Sequence, residues 1–81
     1  MKRMLEIRNQ TRYPCISVFG DERLLKKELI KNVPTTVFIP VGSVKIEAFD
    51  HQEHCFLDCW FSVPPFGGTT LIVTDTVIIL I

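Results

Sequence analysis

The chain has 81 residues, of which 47% are hydrophobic and 22% charged, and its nine Lys and Arg balance nine Asp and Glu. Because there is no basic excess to offset a phosphate backbone, a nucleic-acid partner is not expected. The apolar content, with six Phe and one Trp, excludes a disordered chain and supports one small core. We therefore predict a single domain over residues 1–81.

The two ends of the chain carry no signal for secretion or membrane insertion. Glu6 and Arg8 interrupt the first apolar residues, which is not the pattern of a secretory signal. The apolar C-terminal stretch is broken at Asp75, and its pieces are far shorter than the ~20 residues of a spanning helix. Three cysteines without such a signal fit free thiols in a reducing compartment. We expect a cytoplasmic protein without a membrane partner.

Alternating apolar and polar residues predict the first two strands. Leu5 and Ile7 alternate with charged residues, and a polar loop follows from Asn9 to Pro14. The alternation resumes from Cys15 to Phe19, and Gly20-Asp21 is a turn signal.

The stretch ERLLKKELIKN, residues 22–32, has two interpretations. Its leucines recur at helical spacing among good helix formers, which predicts one short helix. Alternatively, Leu24 to Lys27 pairs back on Cys15 to Phe19 as a hairpin. In that case Lys27 to Lys31 forms an edge strand whose lysines discourage pairing with other molecules.

The segment Thr35 to Asp50 is the strongest strand signal in the chain. Val37 to Ile39 is a continuous apolar run, typical of a strand covered on both faces, and Pro40 is expected to end it. Gly42 can adopt a positive φ, so Ile39 to Ser43 is expected to form a hairpin or a tight corner. Beyond it, Ser43 to Phe49 alternates like a half-buried strand.

The remainder of the chain predicts three more strands. Cys55 to Val63 is apolar on both faces except for Asp58 and Ser62, which predicts a strand near the middle of a layered structure. A loop rich in Pro and Gly follows, and then two β-branched runs joined at Thr74-Asp75. The pattern predicts an all-β fold, a small antiparallel β-sandwich of about six or seven strands.

The run NVPTTVFIPVGSVKIEAF, Asn32 to Phe49, resembles part of small bacterial immunoglobulin-like or transthyretin-like sandwich domains, including PEGA-type domains. In these a strand ends at Pro or a small residue and Gly, and a strand of alternating apolar residues follows. The resemblance covers this run only. It implies a sandwich with a non-enzymatic binding or scaffolding role, and it transfers no site residue.

The densest set of reactive side chains lies in HQEHCFLDC, residues 51–59. The candidate zinc ligands are His51, His54, Cys55 and Cys59, since zinc prefers thiolate and imidazole. On a strand, however, the two cysteines would lie about 13 Å apart at ~3.3 Å per residue. The alternative is a polar loop followed by two small buried thiols.

Other chemistry has weaker support. A thiol nucleophile would draw on Cys15, Cys55 or Cys59 with His51 or His54 as base, but no Lys, Arg or Gly adjoins any of the cysteines.

Two further patterns have structural explanations. Asp58, inside an apolar strand, is expected to face solvent or to pair with Arg8, Arg12 or Arg23. An aromatic platform for a sugar would use Tyr13, Trp60 and Phe66, although aromatic residues in a small sandwich are usually core.

The sequence thus favours a non-catalytic interaction or assembly module without a cofactor. The alternative is a zinc-binding or thiol-dependent small protein centred on His51 to Cys59. Thr76 to Ile81 is apolar on both faces and must be covered, either within its own sheet or by another copy of the chain. Because an 81-residue domain has few layers, we expect a symmetric homodimer assembled through this strand, and another protein is a further candidate partner.

Overall fold

The computed structural model describes residues 1–81 as eight β-strands without a helix. The strands are β1 (Lys2–Asn9), β2 (Cys15–Gly20), β3 (Leu25–Ile30), β4 (Thr35–Pro40), β5 (Gly42–Phe49), β6 (Cys55–Val63), β7 (Thr70–Val73) and β8 (Ile78–Leu80). The all-β prediction is confirmed, and the strand count exceeds the expected six or seven. No helix suitable for crossing a membrane is present.

The strands form two four-stranded sheets. The first sheet has the order β4-β1-β7-β8 and the second has the order β3-β2-β5-β6. Neighbouring strands are antiparallel except for β1 and β7, which run parallel. The expectation of a purely antiparallel arrangement was therefore wrong for this one pair.

The core lies between the two sheets, because the alternating apolar residues of each sheet face the other. Fourteen buried apolar side chains make one cluster, drawn from every strand except β8: Leu5, Ile7, Ile16, Val18, Leu29, Val37, Ile39, Val44, Ile46, Ala48, Leu57, Val63, Leu71 and Val73. Burial of one face per strand explains why period-two alternation predicted the strands correctly.

Residues 22–32 form a turn and a strand rather than a helix. β3 pairs with β2, with Cys15 opposite Ile30 and Gly20 opposite Leu25. The intervening turn places three consecutive residues, Asp21 to Arg23, at positive φ. This left-handed backbone conformation is unfavourable for every residue that has a Cβ atom. Pairing with β2 and complete burial of Leu29 outweigh both this cost and the local helix propensity.

The segment around Gly42 is a corner between the sheets and not a hairpin. β4 belongs to the first sheet and β5 to the second, and Gly42 has the expected positive φ of 110°. Phe38 is 58% exposed because β4 is an edge strand with one covered face. The expectation that Val37 to Ile39 is covered on both faces was wrong.

The position of β6 also differs from the prediction. Its apolar character suggested a central strand, yet β6 lies at the edge of the second sheet and pairs only with β5. Leu57 and Val63 face the core, whereas Asp58, Trp60 and Ser62 face solvent on the other side. β6 therefore has one face exposed to solvent and one edge without a neighbouring strand, although the sequence pattern assigned it to the interior.

Candidate functional site

The candidate zinc ligands lie at the turn between β5 and β6 and on β6 itself. His51 and His54 are exposed in the turn and Cys55 is exposed at the start of β6, while Cys59 is half-buried and packs against the core. No group of three or more His, Cys, Asp or Glu side chains is close enough to hold a metal ion. The structure does not bring the four predicted ligands together.

Asp50 shapes the turn that carries the two histidines. Its Oδ1 accepts the backbone N–H groups of Gln52 at 2.9 Å and His54 at 3.0 Å. These hydrogen bonds lower the pKa of the Asp50 carboxyl, and the one from the His54 N–H has the larger effect. The carboxylate therefore has a local structural role in ordering the turn.

The three cysteines are free thiols in different environments. Burial, followed by the neighbouring charge of Asp58, raises the pKa of the Cys59 thiol. A nucleophilic cysteine requires the opposite shift. The interpretation of Cys55 and Cys59 as two buried thiols was wrong for Cys55, which is exposed at the start of β6, and was only partly met for Cys59, which is half-buried.

Asp58 pairs with a lysine and not with an arginine. Its Oδ1 lies 3.5 Å from Lys45 Nζ, and both side chains are about half exposed. β5 presents Lys45 on the same outer face of the second sheet. The three arginines considered from sequence have other partners: Arg8 with Glu6, Arg12 with Asp75 and Arg23 with Glu47.

The three aromatic residues considered as a platform are distributed over different parts of the molecule. Tyr13 packs on Phe56 with ring centroids 4.9 Å apart, at the end of the sheets that holds the β1–β2 loop. Phe66 is exposed in the β6–β7 loop at the opposite end, and Trp60 is exposed on the outer face of the second sheet. They form no common platform.

The outer face of the second sheet holds an aromatic pair that the sequence reasoning missed. Phe19 and Phe49 meet edge to face at 5.5 Å, and the Arg23 guanidinium lies over both rings at 5.2 and 5.7 Å. Arg23 also contacts the Glu47 carboxylate. The alternation that places Phe19 outward was visible in the sequence, but its partner on β5 depends on the pairing of β2 with β5.

The two long sides of the molecule differ in how they are closed. On the first, β3 contacts β1 and β4 across the layers, and Asn9 Nδ2 donates to the carbonyl of Leu29 at 3.3 Å. Leu29, Val37 and Ile39 are at most 2% exposed there. We call this the closed side.

The opposite side is bordered by the other two edge strands, β6 and β8, because the sheets are stacked with β3 against β4. Leu57 and Val63 of β6 are buried, but four other inward-facing side chains on this side are only partly buried: Cys59, Phe61, Ile78 and Leu80. Exposed apolar residues adjoin them, among them Ile79 at 43% and Ile81 at 64% exposed. We call this the open side, and it is the candidate functional site.

The β6–β7 loop borders the open side at one end. Arg3 donates to the carbonyls of Pro64, Gly67 and Gly68 at 2.9, 2.6 and 2.9 Å, which ties the β6–β7 loop to β1. The loop packs closely on β8, since a Cβ at Gly68 would lie 2.6 Å from Leu80 Cγ. Arg3 thus ties down the loop that leads from β6 to β7 and that packs on β8.

Comparisons with known proteins give no relatives. No protein-family model, curated protein or solved structure matches the chain.

Proposed function

We propose that the protein is a non-catalytic interaction module that assembles with a second copy of itself through the open side. The observation that carries the proposal is the contrast in edge protection. β6 and β8 contain no Lys, Arg or Pro, although lysines and prolines are the residues that commonly prevent edge strands from pairing. The side with half-covered apolar residues is therefore also the side whose edge strands lack the residues that discourage pairing with another strand.

A second copy is favoured over an unrelated partner because of charge. A twofold axis places an edge strand against its own sequence, so that a charged strand repels itself whereas an uncharged strand does not. β8 has no charged residue and β6 has only Asp58, which lies beside Lys45. β3, in contrast, carries Lys26, Lys27 and Glu28.

We also infer that the fold is a sandwich of the transthyretin-like kind. In the immunoglobulin arrangement the first two strands lie side by side in one sheet. Here β1 and β2 belong to different sheets, and β1 pairs in parallel with β7, which supports the transthyretin-like alternative. The three free thiols suit a reducing compartment, and we place the protein in the cytoplasm.

The test is the mass in solution, measured by size-exclusion chromatography with light scattering. Wild-type protein at low micromolar concentration is expected at twice the mass of one chain. Ile79→Lys places like charges near the twofold axis and is expected to weaken the dimer at least tenfold in Kd, about 1.4 kcal/mol.

Ile30→Lys provides the matched control, since Ile30 is an isoleucine on edge strand β3 with 56% exposure. This variant should remain dimeric. A monomeric wild-type protein would contradict the proposal, as would equal weakening by both substitutions.

The thiol of Cys59 offers a second readout. In a background with Cys15→Ser and Cys55→Ser, the remaining thiol lies on the open side and should react with a thiol reagent more slowly as protein concentration rises. A reaction rate independent of concentration across the dimerisation range would count against the open side as the interface.

A further inference from the structure

The hydrogen bonds of β8 determine which of its backbone groups are free. Thr70 and Ile81 exchange both backbone hydrogen bonds, with N···O distances of 3.1 and 2.9 Å. Thr74 N–H donates to Val77 O at 2.9 Å further along the same ladder. Because such pairs alternate along an antiparallel ladder, Ile79 directs its N–H and C=O groups to Ile72, its register partner.

Ile78 and Leu80 consequently direct their backbone N–H and C=O groups away from β7. No strand lies beyond β8 in its sheet, so these groups form the free edge. Their side chains face the core and are half-buried, while the side chain of Ile79 lies on the outer face of the sheet. The edge thus offers two donor–acceptor positions separated by one apolar residue.

This spacing is self-complementary about a twofold axis. With Ile79 opposite Ile79 of a second copy, Ile78 of each chain meets Leu80 of the other, and each of these pairs exchanges both hydrogen bonds. Shifting the register by one residue would place free groups opposite groups already used within the sheet. A shift by two residues leaves part of the free edge without a strand partner.

We infer that the partner of the open side is β8 of a second copy, paired antiparallel in the register that places the two Ile79 residues opposite each other. The sheet β4-β1-β7-β8 of one copy and the same sheet of the other copy then form one continuous sheet across the dimer. The inference rests on the proposed self-assembly and specifies its geometry. It also accounts for a strand of three residues, since β8 gains its second neighbour from the other copy.

Disulfide trapping tests this register. Residues opposite each other in a non-hydrogen-bonded pair have Cα atoms about 4.5 Å apart, within the range that a disulfide spans. In a background with Cys15→Ser, Cys55→Ser and Cys59→Ala, Ile79→Cys should cross-link under mild oxidation into a covalent dimer. Ile78→Cys is the matched control, because Ile78 would lie opposite Leu80 and not opposite itself.

Cross-linking of Ile79→Cys is expected to be about tenfold faster than that of Ile78→Cys, given the distance dependence of disulfide formation. Light scattering of the cysteine-free background keeps the two proposals apart. A dimeric background in which Ile79→Cys fails to cross-link, or cross-links no faster than Ile78→Cys, would overturn the register and leave the self-assembly intact. A monomeric background and a monomeric wild-type protein would overturn both.

Discussion

The closed and open sides of the molecule differ in the composition of their edge strands and in how far the inward-facing side chains are buried. On the closed side, β3 carries charged residues, and Lys27 lies between Leu25 and Leu29 on the same, inward-facing side of the strand. Prolines flank β4. On the open side, the edge strands β6 and β8 contain no lysine, arginine or proline. Four of their inward-facing side chains are only partly buried, namely Cys59, Phe61, Ile78 and Leu80.

This difference shows that burial and edge protection vary together in this small domain. An edge strand with a well-covered inner face and charged residues along it remains solvent-exposed without associating. An edge strand with a partly covered inner face and no charge gains free energy by association, because pairing removes apolar surface from water and satisfies free backbone groups.

The largest expected effect comes from truncating the same residue type on each side. Leu29→Ala on the closed side removes a side chain with 0% exposure and should lower the free energy of unfolding by about 3 kcal/mol. Leu80→Ala on the open side removes a half-buried side chain and should cost about 1 kcal/mol in the monomer.

Urea denaturation followed by circular dichroism, at the lowest usable protein concentration, compares the two variants. Raising the concentration should increase the loss caused by Leu80→Ala and leave that of Leu29→Ala nearly constant, since only Leu80 lies at the proposed interface. Equal losses in dilute solution would refute the contrast in burial.

The next effect concerns the amide that links the layers on the closed side. Asn9 is 2% exposed, donates to the carbonyls of Tyr13 and Leu29, and accepts from the N–H and hydroxyl of Thr11. Asn9→Ala leaves these groups without partners and should lower stability by about 2 kcal/mol. The exposed Gln10 provides a control, because Gln10→Ala should change the urea midpoint little.

A smaller effect is expected for the arginine that holds the loop beside the open side. Arg3→Met removes three charge-assisted hydrogen bonds but keeps an apolar stem, so the expected loss is about 1.5 kcal/mol. Amide exchange in the β6–β7 loop should accelerate. Arg8→Met, which removes one exposed pair with Glu6, should have an effect below about 0.5 kcal/mol.

The smallest effect is a dependence on pH at the turn that leads into β8. The pKa of the Asp75 carboxyl is lowered, chiefly because the carboxylate accepts a hydrogen bond from the backbone N–H of Arg12. Burial raises this pKa in part, and the hydrogen bond from the Arg12 side chain lowers it further. A lowered pKa in the folded state means that the carboxylate contributes stability above the ordinary pKa of Asp, and that this contribution is lost as pH falls through the folded pKa.

Asp75→Asn should therefore destabilise the protein at pH 7, and the difference from wild type should disappear in acid. Urea midpoints at several pH values provide the measurement. A difference that stays constant with pH would show that the charge of Asp75 contributes nothing.

The buried faces of the strands and the position of the Gly42 corner were predictable from the local sequence pattern. Ile16 and Val18, or Val44 and Ile46, lie on one buried face of a strand, and strict alternation indicated this because a strand places successive side chains on opposite faces. Gly42 was predicted at a hairpin or a tight corner because glycine adopts a positive φ readily, and it lies at the corner between the sheets. Such features depend on residues adjacent in the chain.

The candidate site was predicted only in part. The apolar stretch Thr76 to Ile81 was identified as needing a cover, and the structure places β8 at an open edge. β6 was assigned to the interior because apolar residues on both faces usually indicate two-sided burial. β6 lies at an edge because it pairs with β5 and with no other strand. The residues Cys55 to Val63 do not indicate how many neighbouring strands they will have.

Alternation and turn residues within a few positions were enough to predict the fold class, most of the strands and their buried faces. Three features follow only from the folded arrangement: Leu25–Ile30 pairs with β2, β1 lies beside β7, and β6 and β8 border the same side. These outcomes depend on contacts between residues distant in the chain, such as Glu6 with Thr70. Their free energy comes from burial between two sheets, which a local pattern does not specify.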